Sequence, residues 1–187
     1  MRAAQDRAEQ CIAALTAKEG KAVAACSSVG DGLADRMAGN GLHYGIILEI
    51  GTYHGASAVV LAHFADRVIT VDVTPPSDRQ ALRDIYRWLA PEIAARICQV
   101  WVPDNAAKAA LVASLAFDMA FLDGGHSELQ TALDFRITRK CGACLFHDYP
   151  ESGSGCPGPG IVLDGLRDAG DGVVTTDEPF GWWRAAE

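Results

Sequence analysis

Apolar positions along the chain follow two rhythms. Short, nearly unbroken apolar runs recur at 46–50, 68–73, 97–102, 117–122 and 143–146. Runs of this length, bounded by Gly, Pro or Asp, read as strands buried on both faces of a parallel sheet. Stretches with helical spacing lie between them. Ala56 to Ala65 offers Val60, Leu61 and Phe64 for burial. Leu82, Ile85, Tyr86 and Leu89 fall at i, i+3, i+4 and i+7, between the Pro75-Pro76 break and Pro91. An alanine-rich helix runs to about Leu115, and Leu129, Ala132, Leu133 and Ile137 are expected to form the core face of the next one. The segment from Pro150 to Gly160, rich in Gly and Pro, reads as a mobile or lid-like loop before a helix from Ile161 to about Ala169. Val173–Thr176 and Gly181–Arg184, joined through Glu178-Pro179, predict a closing hairpin. Strand–helix alternation that ends this way predicts an α/β domain whose last strand is antiparallel.

Before the first strand, Arg2 to Ala25 is rich in helix formers, and a second short helix is expected from Ser28 to Met37, ended by Gly39-Asn40-Gly41. The domain reading is a helical extension over 1–41 and a ligand-binding domain over 42–187.

The most informative stretch is Glu49-x-Gly51-x-x-x-Gly55 at the end of the first strand. Gly51 permits a sharp turn and a close backbone approach to a ligand, and the helix after Gly55 points its N–H groups at whatever sits above the strand. Tyr53 stands where a dinucleotide site needs glycine, and no G-x-x-x-x-G-K-[ST] stretch exists. Asp72, ending the second strand, is placed to accept both hydroxyls of a ribose. A cradle without room for pyrophosphate, beside a ribose acid, suits S-adenosylmethionine (SAM).

Four motifs in order resemble the class I SAM-dependent methyltransferases, especially the small-molecule branch of macrocin O-methyltransferase-like bacterial enzymes. They are Leu48 to Ser57, Val71-Asp72, Phe117 to Ser127 and Leu145 to Tyr149. The resemblance implies a Rossmann-like fold: a seven-stranded, mostly parallel sheet with helices on both faces. It implies SAM contacts from Glu49, Gly51, Thr52, Tyr53, His54, Gly55, Ser57, Asp72 and Asp123, with Asp104 and Asn105 near the adenine. Tyr53 and His54 would meet the methionine end. In resembling enzymes, acids at the ends of strands four and five bind magnesium. That places a divalent cation, Mg2+ or Mn2+, at Asp123, His147 and Asp148, with His147 standing in for an acid. Gly125 occupies a position where several relatives carry an acid suggested as general base. His126 and His147 are therefore the base candidates here, because imidazole titrates near neutral pH.

Composition narrows the picture. The chain has 187 residues and a net charge of −8, which disfavours a phosphate-binding surface for nucleic acid. Its apolar runs are too short to span a bilayer, and its first residues lack a signal-peptide core, so a cytoplasmic location is expected. Six cysteines are expected to be reduced there. Cys141-Gly-Ala-Cys144, with His147 and Cys156 nearby, matches a zinc pattern only in part, since Cys144 alternates with Phe146 in a strand. The leading reading is a SAM-dependent O-methyltransferase acting on a small molecule, a sugar or secondary metabolite. The alternatives are a SAM-binding regulatory or assembly protein without catalysis, and a nicotinamide-dependent reductase, which the missing third glycine opposes. Self-association, through the segment before the first strand, is left open.

Overall fold

A computed structural model of the chain describes residue 6 and residues 32–53, 55–73, 91–149 and 156–186. The helix expected over 2–25, the one around Leu82 to Leu89 and loop residues 150–155 lie outside the described residues.

The strands are β1 (Tyr44–Ile50), β2 (Ala65–Asp72), β3 (Ile97–Trp101), β4 (Met119–Leu122), β5 (Ala143–Phe146), β6 (Val173–Asp177) and β7 (Phe180–Arg184). They form one seven-stranded sheet in the order β3-β2-β1-β4-β5-β7-β6. β1 pairs in parallel with both β2 and β4, while β7 runs antiparallel to β5 and β6. Strand order therefore reverses between β1 and β4, and the ligand crevice of such sheets lies beyond their carboxyl ends.

The helices are α1 (Leu33–Gly39), α2 (Ala56–Leu61), α3 (Pro91–Ala94), α4 (Asn105–Ser114), α5 (Glu128–Thr138) and α6 (Gly158–Asp168). Alternate strand residues face opposite layers. Ile47, Phe121 and Leu145 pack with Leu33, Met37, Val59 and Val60 of α1 and α2. Leu48, Ala120 and Phe146 pack with Phe135 of α5, Leu163 of α6 and Trp183 of β7. α1, inside the segment read as an extension, thus contributes to the core. No helix among the described residues is long and apolar enough to cross a membrane.

Three expectations change. α2 ends at Leu61 and β2 already starts at Ala65, because Tyr44 and Ala65 are register partners and draw polar Asp66-Arg67 into the strand. α5 is rotated: Leu129 is 72% exposed and Leu133 38% exposed, while Thr131, Asp134, Phe135 and Thr138 are buried. Its polar inner groups are satisfied locally. Lys108 of α4 pairs with Asp134, and the Thr131 and Thr138 hydroxyls donate to the carbonyls of Gly125 and Asp134. Finally, Gly158 to Gly160 are the first turn of α6 rather than loop. Proline is tolerated at a helix start, and the buried glycines let α6 press onto α5.

Candidate active site

One end of the crevice is built by β1, β2 and the turn after β1. Glu49 is fully buried; the Ser57 hydroxyl donates to its Oε1 at 2.5 Å, while Oε2 accepts no hydrogen bond. Burial pushes the Glu49 carboxyl up to about 8, so it is largely uncharged at neutral pH. The N–H groups of Thr52 and Tyr53 both donate to Asp72 Oδ2 at 3.1 Å, and the hydroxyls of Thr52 and Thr70 meet at 2.6 Å. Tyr53 has φ 42° and Gly55 φ 78°, a left-handed pair that bends the turn over the end of β1. His54 lies outside the described residues.

Gly51 also has a role beyond the one its motif suggests. At φ +97°, a Cβ would overlap the Asp123 carbonyl, whose carbon would lie 2.6 Å away. The close approach is between the β1 turn and the β4 turn, so this glycine joins the two ends of the crevice. Asp104 accepts from the Ala107 N–H at 2.8 Å, capping α4. Asn105 exchanges amide hydrogen bonds with Gln130 at 2.9 and 3.3 Å, tying the loop after β3 to α5.

The other end is built by the ends of β4 and β5. His147 Nδ1 lies 3.3 Å from Asp123 Oδ1 and 3.1 Å from Asp148 Oδ1. The imidazole is buried, its ring 5.1 Å from that of Phe180 on β7. Burial opposes its charge, yet the two carboxylates outweigh that and push His147 up to about 11. Asp148 takes φ 63°, a conformation costly for a residue with a Cβ, and its Oδ2 is buried with no hydrogen bond. His126 Nε2 sits 3.7 Å from Asp123 Oδ1 and 3.4 Å from Asp148 Oδ2. Its pKa is raised, chiefly by the hydrogen bond with Asp123. Both imidazoles are therefore biased toward the charged form. A Cβ at Gly125 would overlap Gln130 Cγ, so an acid there would require the Gln130 side chain to move.

The structure thus brings Asp123, His126, His147 and Asp148 together, and separately gathers Glu49, Gly51, Thr52, Tyr53, Gly55, Ser57 and Asp72. Asp104 and Asn105 border the second group through their loop. Sequence reasoning grouped Cys156 with the Cys141–Cys144 pair and missed its contact with His126, Sγ 2.6 Å from Nδ1, as well as the Lys108–Asp134 pair. Neither carries a spacing signal. The contact of Cys156 depends on how α6 docks, and Asp134 reads as the polar face of a helix.

The family described as a methyltransferase domain matches residues 48–149, more than half of the chain, from β1 to the residues after β5. The chain belongs to this methyltransferase family. It is a class I SAM-dependent methyltransferase, with the seven-stranded sheet expected of one. Solved structures share the fold. The O-methyltransferase from Bacillus cereus in complex with SAH, the demethylated product of SAM, is 18% identical, with TM-score 0.61, covering 97% of this chain and 91% of that one. TomG of Streptomyces achromogenes, an O-methyltransferase of tomaymycin synthesis bound to SAM, is 16% identical with TM-score 0.64, covering 97% and 90%. Cofactor-bound Rv0187 from MTB is 18% identical with TM-score 0.67, covering 97% and 90%. No protein with a curated description matches the chain in sequence. In the methyltransferase, the matched region contains both groups of candidate residues, and Cys156 lies beyond it.

Proposed function

We propose that this methyltransferase transfers the methyl group of SAM to a hydroxyl of a small molecule, a sugar or secondary metabolite, at the β4–β5 end of the crevice. The observation that carries the reading is the convergence of Asp123, His147 and Asp148 beside the turn after β1. Their ligand atoms all lie within 4.8 Å of one another. The likeness to O-methyltransferases from Bacillus cereus and Streptomyces achromogenes supports the choice of oxygen.

The residues present fit both expected groups. The buried Oε2 of Glu49 lacks a hydrogen-bond partner beside the turn, as a polar atom reserved for a ligand would. Two carboxylates and an imidazole form an oxygen- and nitrogen-rich set suited to a divalent cation, Mg2+ or Mn2+, and the buried Asp148 Oδ2 has no hydrogen bond to lose. When bound, SAM supplies a methyl carbon already activated by its sulfonium, and the cation stabilises the developing alkoxide charge.

The chain supplies the rest. Glu49, Ser57 and the turn from Gly51 to Gly55 hold the methionine end, Asp72 accepts ribose hydroxyls, and the Asp104-Asn105 loop borders the adenine. Asp123 and Asp148 would hold the cation, with His147 as a third ligand when it is unprotonated. His126, with Nε2 facing both carboxylates, receives the hydroxyl proton. A base must be unprotonated to act, so the rate should rise with pH through the titration of His126. With a net charge of −8, the acceptor is a small molecule rather than nucleic acid, and we place the reaction in the cytoplasm.

The test is turnover of methyl-labelled SAM with a panel of phenols, catechols and sugars, with Mg2+, with Mn2+ and in excess chelator. Labelled ethers and SAH are expected, with more product when cation is present. Label on nitrogen or sulfur acceptors alone would overturn the oxygen assignment. Tight SAH binding with no turnover on any acceptor would favour the regulatory alternative.

A further inference from the structure

We propose that His126, Asp148 and Cys156 form a site for a borderline-to-soft divalent transition metal, of the Zn2+ or Co2+ class, beside the Asp123–His147–Asp148 group and sharing Asp148 with it.

The three side chains come from separate places: the loop between β4 and α5, the end of β5 and the approach to α6. One ligand atom from each lies within 4.8 Å of the others. The start of α6, two residues on from Cys156, is held against the loop that carries His126. The Gly158 N–H donates to the His126 carbonyl at 2.9 Å, and a Cβ at Gly158 would stand 2.6 Å from the Ser127 carbonyl oxygen. The start of α6 is thereby pressed onto the His126 loop, and Cys156 Sγ reaches 2.6 Å from His126 Nδ1. Asp148 enters in its left-handed conformation with Oδ2 buried and without a hydrogen bond.

Donor chemistry selects the ion. Mg2+ takes oxygen ligands and keeps its waters, whereas thiolate with imidazole and carboxylate suits Zn2+ and its neighbours. Zinc bonds of about 2.0–2.3 Å separate tetrahedral ligand atoms by about 3.5 Å, so Cys156 and His126 must part by roughly 1 Å as the ion enters. Two other roles for this thiol fit less well. Methyl transfer from a sulfonium needs no covalent enzyme intermediate. A disulfide with the Cys141/Cys144 pair is remote, because Cys144 lies within β5 and Cys141 before it, whereas Cys156 sits beyond the strand's far end. Binding removes protons from Cys156 and His126, so affinity should fall as pH falls.

The test adds Co2+ to the purified full chain and reads the near-ultraviolet thiolate-to-cobalt charge-transfer band, with bound metal counted by mass spectrometry. The wild-type chain should show the band, excess Mg2+ should leave it in place, and Cys156→Ser should lose it. A variant retaining only this thiol (Cys11→Ser, Cys26→Ser, Cys98→Ser, Cys141→Ser, Cys144→Ala) should keep it. SAH affinity, measured on every variant, reports folding and is expected to stay within a few-fold. A sulfur neighbour in the X-ray absorption of the zinc-loaded wild-type chain reads the same ligand without mutation. No cobalt uptake, uptake without the band, or a band that survives in a folded Cys156→Ser chain would overturn the proposal. None of these results bears on whether SAM binds; a metal held through His126 would occupy the imidazole that receives the hydroxyl proton, so a filled site would slow methyl transfer.

Discussion

The two ends of the strand-end crevice are stabilised by opposite means. At the β1–β2 end, ionisable groups are quieted by backbone and burial: Asp72 receives two backbone N–H groups, and Glu49 keeps its proton. At the β4–β5 end, charge is balanced by charge, with two carboxylates facing two imidazoles. Backbone donors cannot titrate or leave, so the first end is preorganised for one ligand. The second can exchange its imidazole protons for a metal ion, so it responds to pH and to cations. Their common wall is the contact of Gly51 with the Asp123 carbonyl.

Gly51→Val should break the comparison most severely, because it strikes that wall. Its φ of +97° disfavours any side chain, and the added carbon would overlap backbone. Strain and overpacking together should lower stability by roughly 2–5 kcal/mol. Urea unfolding and calorimetry should show stability, SAH binding and metal binding failing together. Loss of SAH binding alone, at unchanged stability, would mean that the glycine serves the ligand and not the wall.

Stability against pH separates the two ends. Glu49 titrates ordinarily at 4.5 and in the fold at about 8, so the folded chain holds that proton longer. Stability should fall as pH rises across that window, and Glu49→Gln should remove the slope. His147 moves from 6.5 to about 11, so the stability of its charged contacts is full below 6.5 and lost as pH rises toward 11. His147→Gln should remove only this second slope. Urea midpoints measured across both windows check it; one shared slope, abolished by either variant, would contradict two independent ends.

A smaller effect is expected at the border. Asp104→Ala removes the cap of α4 and should cost about 1 kcal/mol in thermal or urea unfolding. SAH affinity should weaken only a few-fold in the same variant, with metal uptake unchanged.

The sequence displays the first end more fully than the second. Gly51, Gly55 and Asp72 mark a turn and a strand tip at fixed spacing, and local chemistry makes them what they are. Asp123, His147 and Asp148 are legible because strand ends can be counted. The contact of Gly51 with the β4 turn is not legible, since its partner is a carbonyl 72 residues away. The same holds for α5, where the Leu129 stripe looks like a core face until Lys108 arrives to neutralise Asp134. Gly158-Pro159-Gly160 reads as loop because its composition breaks helices, yet small residues at a helix start allow close packing. Local motifs survive in one dimension, while contacts made by docking do not.

The most direct test of the central claim is a crossed calorimetric titration of SAH and Mn2+ into the wild-type chain, Asp72→Ala and Asp148→Ala. Removing Asp72 should cost about 3 kcal/mol of SAH binding, roughly a hundredfold, from lost charge-assisted hydrogen bonds. Mn2+ uptake should be untouched in that variant. Asp148→Ala should lose Mn2+ and keep SAH affinity within about threefold, a change under 1 kcal/mol. Failure of the wild-type chain to bind SAH, or equal losses of both ligands in both variants, would contradict a methyltransferase with separate cofactor and acceptor ends.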